Sequence, residues 1–242
     1  MKAIVLCAGY GTRMGDLTRE ISKPMLPIQG KPLLEYTVRY LKHNGFDDIA
    51  INLHFKPELI SDYFGTGAAW GVTIHYAYEE TLLGTAGALR NFTDFLAATE
   101  DFLVIYGDLL VDEDLGPLLE MHRQHQATGT LVVHQRPNSN SLIQMDDRNR
   151  IIAFVERPSG SERQANSYPW VNSGIQLLNR RILNCVPQHS PADLPRDVYV
   201  PNLASESFYG KPLTGYRCAL DSPNRYIEAQ QAVAERRYKI FP

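Results

Sequence analysis

Three observations predict an α/β fold with a Rossmann-like, mixed but mostly parallel sheet flanked by helices. Apolar runs of strand length alternate with amphipathic helical stretches through residues 1–125, the βαβ pattern that lays helices on both faces of a parallel sheet. The first apolar run ends in a glycine-rich loop, "LCAGYGTRM" at 6–14. From residue 126 onward, strand-like runs follow one another with polar turns between them, so the sheet is expected to become mixed. The expectation is one domain, 1–242, with a nucleotide-binding half (1–125) and a β-rich half (126–242). In such folds the ligand crevice lies at the carboxyl ends of the strands, here between the halves.

Each element has its own warrant. Ala3 to Cys7 ("AIVLC") is short, β-branched and bounded by glycine, the signature of a buried strand. Pro32 to Asn44 reads as a helix: Leu33, Leu34, Val38 and Leu41 share a face, proline suits its start, and Gly45 suits the position past its end. Ile49–Leu53 and Val72–Ala77 read as strands, with a short helix at Pro57–Phe64 between them, ended by Gly65. Thr85–Leu96 reads as a helix, Phe102–Tyr106 as a strand ending at "GD", and 115–125 as a helix capped by Asp112 or Asp114. The later strands are Thr130–His134, Ser141–Met145, Ile151–Phe154 and Val171–Leu178, with "DDRNR" (146–150) as a hairpin turn. Residues 157–169 read as a surface loop and Ser222–Tyr238 as a last amphipathic helix. No internal repeat is present, and no hexapeptide array follows that helix.

Composition narrows the function classes. Of 242 residues, 44% are hydrophobic and 21% charged, enough to bury roughly 70–75% of the unfolded surface without disulfides. The net charge is −3 and no long basic run exists, which argues against a nucleic-acid surface and means that an anionic ligand is held by local groups. Three scattered cysteines form no CxxC pair, so no zinc or redox motif is readable and a reducing cytoplasm is expected. No stretch has 18 consecutive apolar residues, so no membrane partner is expected.

The loop fits neither common phosphate motif. A dinucleotide loop needs G-x-G-x-x-G, and a P-loop needs G-x-x-x-x-G-K-[ST]; after Gly9 and Gly11, both counts land on Met14. The loop carries Thr12 and Arg13 instead, and Lys23 follows between Ser22 and Pro24. A guanidinium among backbone N–H donors grips phosphate oxygens in pairs and keeps its charge. A proline keeps the residue before it extended, which would present Lys23 from a fixed backbone. The alternative is a tight turn with a surface Arg and Lys.

"LCAGYGTRM" followed by "SKPMLPI" resembles the signature of the sugar-1-phosphate nucleotidyltransferases, the nucleotide-sugar pyrophosphorylases. The resemblance continues through "LLGTAGAL" (82–89), "YGD" (106–108), "FVERP" (154–158), "VNSGI" (171–175) and "ALDSPNRYIEA" (219–229), nearly the whole chain. It implies the nucleotide-diphospho-sugar transferase type of fold in its short form, without a β-helix domain. It implies nucleotidyl transfer from a nucleoside triphosphate to a sugar 1-phosphate, with Mg²⁺ as cofactor and pyrophosphate as product. The wording is closest to guanylyltransferases for mannose or heptose 1-phosphate.

Matched motif by motif, the resemblance makes Arg13, Lys23 and Asp108 catalytic, with Arg13 on the β- and γ-phosphates and Lys23 on the α-phosphate. It places Leu6, Ala8, Gly9, Gly11, Thr12, Arg13, Gly84, Thr85 and Gly107 around the nucleotide, and Glu156, Arg157 and Asn172 around the sugar phosphate. Asp108 and Asp221 are the implied metal ligands. Other readings stand beside these: Asp221 as the N-cap of the last helix, and Thr85 as a helix cap. Two departures are visible. Arg157 stands where the family commonly has lysine, and Asn140–Ser141 stand where it commonly has Tyr-Gly. The competing functions are a uridylyl- or thymidylyltransferase on glucose-type sugar phosphates, a cytidylyltransferase on a phosphoalcohol, a non-catalytic nucleotide-sugar sensor, and a nicotinamide-dependent oxidoreductase. A homo-oligomer is compatible with all of them.

Overall fold

A computed structural model describes residues 1–137, 139–165 and 168–239. The chain forms two compact units that do not follow its order: Met1–Leu82, Val104–Asp114 and Thr214–Pro242 in one, Leu83–Leu103 and Leu115–Leu213 in the other.

In the first unit, Lys2–Leu6 pairs in parallel with Asp48–Leu53, which pairs in parallel with Thr73–Tyr78. Ala3, Ile4, Val5, Ile49, Ala50 and Ile51 are fully buried, as strands covered on both faces require. Helix Leu33–His43 carries the expected buried face, with Pro32 just outside it and Asn44–Gly45 ending it; Gly45 has φ +80°. Helix Glu58–Phe64 ends at Gly65 as expected. Helix Pro223–Ala234 is shorter than the predicted 222–238, and Ser222 caps it by accepting from the Arg225 N–H. The capping reading of Asp221 is therefore removed.

Three short pieces of this unit escape periodicity analysis. Thr12–Thr18 is a 3-10 turn broken at Gly15. Lys23–Met25 is a second 3-10 turn. Leu109–Val111 pairs antiparallel with Arg217–Ala219. Asp112 does not cap the helix that follows: its carboxylate accepts from the Tyr216 and Lys239 N–H groups. That helix, Gly116–His125, has Leu115 at its cap position. The neighbouring Glu113 is buried and accepts from the Thr214 and Gly215 N–H groups, which satisfies its charge where water is absent.

The second unit is built mainly from antiparallel strands. Ile151–Glu156 pairs with Ser141–Met145, and Trp170–Asn179 pairs with Gly129–Gln135. Phe208–Pro212, which the sequence reading left out, adds in parallel to Gly129–Gln135. The hairpin at 146–150 forms around Asp146, whose carboxylate accepts from the Arg148 and Arg150 N–H groups. The predicted helix 85–96 is three successive short pieces, Gly84–Gly87, Ala88–Phe92 and Thr93–Leu96. Within the segment read as a loop, Gly160–Ala165 is helical, while residues 166 and 167 lie outside the described residues. The α/β class expected from sequence holds, with parallel pairing concentrated in the first unit.

Candidate functional site

The glycine loop grows out of the buried strand Lys2–Leu6. Its entry is fixed where the Cys7 N–H donates to Asn52 Oδ1 at 2.8 Å. Gly11 takes φ +70°, and a Cβ there would lie 3.2 Å from Thr18 Cγ2 and 3.3 Å from Lys23 Cβ. Thr18 Oγ1 donates to the Gly11 carbonyl at 3.0 Å, so loop, turn and lysine pack as one piece. Gly107 is as tightly placed. Its N–H donates to the Leu6 carbonyl at 2.9 Å, and a Cβ would come within 2.4 Å of Cys7 Sγ. Gly9 faces open space. Leu6 is half-buried and Ala8 buried, while Thr12 and Arg13 are exposed. An arginine buried inside the loop is thus not found; among the described residues Arg13 has neither a hydrogen bond nor an ion pair. Burial pushes the Cys7 thiol far up, with Asp108 adding to the effect, so this thiol stays protonated.

Lys23 is buried, and its Nζ stands 3.0 Å from Asp108 Oδ2. It opens a 3-10 turn and is not extended; the extended residue is Ser22. What fixes Lys23 is that turn, closed by the Met25 N–H on the Ser22 carbonyl and the Leu26 N–H on the Lys23 carbonyl. Asp108 immediately precedes the strand Leu109–Val111. In the antiparallel pair with Arg217–Ala219, Leu109 faces Ala219, and the Leu220 N–H donates to the Asp108 carbonyl at 2.9 Å. Asp221 is the next residue, so two aspartates from distant parts of the chain stand at adjoining strand ends. Mg²⁺ keeps several waters and asks for one or two carboxylates plus phosphate oxygens, and this donor pair fits that demand. Among the described residues no group of three or more His, Cys, Asp or Glu is gathered for a metal.

In the second unit, Gly84 takes φ +78°, and a Cβ would lie 2.4 Å from the Ala192 carbonyl oxygen. The Ala86 and Gly87 N–H groups donate to that same carbonyl, at 2.8 and 3.1 Å, and the Ala192 N–H donates to the Leu83 carbonyl. Thr85 is not a cap; its Oγ1 accepts from the Leu194 N–H at 2.8 Å. The "LLGTAGAL" loop is thus moulded on residues 190–194.

Glu156 and Asn172 meet through Ser141. Glu156 is the register partner of Ser141 in the strand pair, and the Asn172 N–H donates to Ser141 Oγ at 3.1 Å. Here the Tyr-Gly departure finds a role, since the serine hydroxyl occupies the junction. The Asn172 side chain holds a bulge, accepting from the Gly174 N–H at 2.9 Å where Gly174 has φ +83°. Burial pushes Glu156 up to about 7, with Asp193 acting in the same direction and Arg157 and Arg196 against it. Arg157 is exposed at φ +52°, and its N–H donates to the Asn140 carbonyl. Asp193, which no sequence motif marked, is also tied to the "LLGTAGAL" loop: its Oδ1 accepts from the Thr85 N–H at 3.4 Å.

The family model described as "Nucleotidyl transferase" matches residues 2–199. The chain belongs to the nucleotidyl transferase family. It is 32% identical over 235 residues to the D-glycero-alpha-D-manno-heptose 1-phosphate guanylyltransferase of Aneurinibacillus thermoaerophilus, covering 96% of this chain and 97% of that one. It is 33% identical over 213 residues to the UTP–glucose-1-phosphate uridylyltransferase of Synechocystis sp., covering 82% of this chain and 54% of that one. A mannose-1-phosphate guanylyltransferase of Mycobacterium tuberculosis is 29% identical over 93% of this chain and 62% of its own. The chain thus spans about half to three fifths of two of these relatives and nearly all of the third. Among solved structures, HddC from Yersinia pseudotuberculosis with GMP-PN has a TM-score of 0.79 at 22% identity, covering 96% of this chain and 99% of that one. UDP-glucose pyrophosphorylase with UDP-glucose has 0.83 at 20%, covering 97% and 98%. These likenesses place this nucleotidyl transferase in the fold expected from its sequence. No helix among the described residues is long and apolar enough to cross a membrane.

Proposed function

We propose that this chain transfers a nucleotidyl group from a nucleoside triphosphate to a sugar 1-phosphate and releases pyrophosphate. The observation that carries the reading is the part-buried Lys23–Asp108 ion pair beside the glycine loop, with Asp221 on the adjoining strand end. A sugar-phosphate oxygen attacks the α-phosphorus, and catalysis is mostly positioning and neutralisation of charge. Lys23 faces the α-phosphate. Arg13, exposed and unengaged among the described residues, closes on the β- and γ-phosphates and on the departing pyrophosphate. Leu6, Ala8, Gly9, Gly11, Thr12 and Gly107 line the nucleotide. Members of the family generally use a divalent metal; Asp108 and Asp221 would hold Mg²⁺, which supplies neutralisation of phosphate charge. Lys23, 3.0 Å from Asp108 Oδ2, then orients that carboxylate until nucleotide arrives.

From the second unit, Gly84 and Thr85 hold the base loop, while Glu156, Asn172 and Arg157 bind the sugar phosphate. Guanylyl transfer to a mannose- or heptose-type sugar is favoured by the relative that matches along nearly its whole length. Uridylyl transfer to a glucose-type sugar is the second reading, on the similarity to the Synechocystis enzyme. The test is a matrix of five nucleoside triphosphates against a panel of sugar 1-phosphates with Mg²⁺, read by pyrophosphate release. GTP with mannose or heptose 1-phosphate is expected to give the fastest release. No release with any pair sinks the proposal.

A further inference from the structure

The root and the tip of the glycine loop are joined by one chain of hydrogen bonds that runs through the ends of the two neighbouring parallel strands. At the root, the Cys7 N–H donates to Asn52 Oδ1, and Asn52 Nδ2 donates to Glu79 Oε1 at 2.8 Å. Asn52 lies in strand Asp48–Leu53, Glu79 follows strand Thr73–Tyr78, and both residues are buried. The Glu79 N–H donates to the Leu53 carbonyl at 2.8 Å, which continues the strand pairing. The Glu79 carbonyl oxygen stands 2.7 Å from His54 Nδ1, and His54 Nε2 stands 2.7 Å from the hydroxyl of Tyr10 at the loop tip. A carbonyl only accepts, so in the neutral ring Nδ1 carries the proton, Nε2 accepts, and the Tyr10 hydroxyl donates.

Ring contacts fix the same alignment. Tyr10 and His54 meet edge to face, with centroids 5.0 Å apart and planes at 85°, and Tyr10 lies 5.8 Å from the Phe55 ring, within the range of favourable aromatic pairs. Lys56, at φ +49°, donates from Nζ to Glu20 Oε2 at 2.9 Å. Residues 54–56 thus touch the chain on both sides of the turn Thr12–Thr18. Tyr10 is nevertheless 48% exposed, so filling the core does not account for it. The next residue, Gly11, packs on Thr18 and Lys23, so a shift at Tyr10 is passed to the loop backbone and to that lysine.

We propose that His54 is a positioning residue that acts through Tyr10, holding the glycine loop in the shape that receives the triphosphate. Fixing the loop before nucleotide arrives lowers the ordering that binding must otherwise impose. This rests on the reading of the glycine loop as the nucleotide's phosphate site given above. Tyr10→Phe keeps the ring and removes only the hydroxyl; His54→Ala removes the acceptor and the ring together.

The tautomer of His54 is read by nitrogen NMR of labelled histidine, assigned with H54A. The KM for nucleotide is read by pyrophosphate release from wild type, Y10F, H54A and the double variant. The neutral His54 ring is expected to carry its proton on Nδ1. In Y10F the KM for nucleotide is expected to rise ~2- to 10-fold, the scale of one lost hydrogen bond, with the KM for sugar 1-phosphate within about twofold of wild type. H54A should raise the nucleotide KM at least as much, and in that background Y10F should add less than about twofold, because the two groups share one contact. An unraised nucleotide KM in Y10F overturns the latch, as does a Y10F effect undiminished in the H54A background, a rise of both KM values alike, or a neutral His54 protonated on Nε2. A wild-type protein that releases no pyrophosphate defeats the functional reading instead, and the tautomer still decides whether Tyr10 donates to His54.

Discussion

Lys23 Nζ meets Asp108 Oδ2 at 3.0 Å across 85 residues of sequence. Most of the lysine is buried, so the pair is shielded from the screening that makes surface ion pairs weak. Asp108→Ala is expected to lower kcat by at least ~100-fold, the scale of losing a preorganised electrostatic group. Lys23→Ala should cost a similar factor. Because the two groups form one ion pair, the double variant should lose less than the product of the single losses. Steady-state kinetics on the three variants check this, and fully multiplicative losses would mean the pair does not act as a unit.

Chelation gives a second check on the same residues. Exhaustive EDTA treatment should abolish pyrophosphate release, and added Mg²⁺ should restore it. In Asp221→Asn the Mg²⁺ concentration for half-activation should rise by about tenfold, since one of two carboxylate ligands is lost. An unchanged Mg²⁺ requirement in that variant removes Asp221 from the metal site.

Gly84→Ala tests whether the base loop is moulded on Ala192. The new Cβ would sit 2.4 Å from a backbone oxygen at φ +78°, so strain and overlap together should cost about 2–4 kcal/mol. For a chain of this size that is roughly 5–15 °C in Tm. Calorimetry against a Gly9→Ala control, where a Cβ meets open space, separates this local clash from a general glycine effect. A G84A protein melting with wild type would show that the loop relaxes freely.

The parts legible in the sequence were those whose cause is local. Buried strands such as Lys2–Leu6 and the stop of helix Leu33–His43 at Gly45 follow from apolar runs and a glycine that accepts positive φ. The Asp108–Asp221 approach came only through family resemblance, because it depends on a three-residue strand pair, Leu109–Val111 with Arg217–Ala219. Pieces that short carry no periodic signal. The capping errors at Asp112 and Thr85 share one origin: each side chain satisfies backbone from a remote segment, Tyr216 and Leu194, and spacing along the chain says nothing of that. Asp193 went unseen for the same reason.

Glu156 predicts the acid limb of activity. A carboxylate that accepts from sugar hydroxyls must be ionised, and burial holds this one at about 7. Then kcat/KM for the sugar phosphate should rise with pH through about 7, and E156Q should lose both most of the activity and that limb. A wild-type limb at an ordinary carboxylate pH would dissociate Glu156 from sugar binding.

The same carboxyl and His122 should tilt stability in opposite directions, which separates them experimentally. His122 is buried, with Nε2 3.3 Å from Asp101 Oδ1 and Nδ1 2.9 Å from Thr130 Oγ1. A carboxylate can only accept, so Nε2 carries the proton and the Thr130 hydroxyl donates to Nδ1. Burial lowers this histidine below its usual 6.5, and it outweighs the opposing pull of Asp101. As pH falls below 6.5, the unfolded chain takes up the proton first, so stability is lost toward acid. Glu156 is raised, so the folded state holds its proton longer, and its contribution is lost as pH rises from 4.5 toward about 7. In thermal melts between pH 5 and 7.5, His122→Gln should remove part of the acid-side loss, and Glu156→Gln should remove part of the loss toward neutrality. If either substitution leaves the slope of Tm against pH unchanged in its own window, that residue does not titrate differently in the folded and unfolded chains.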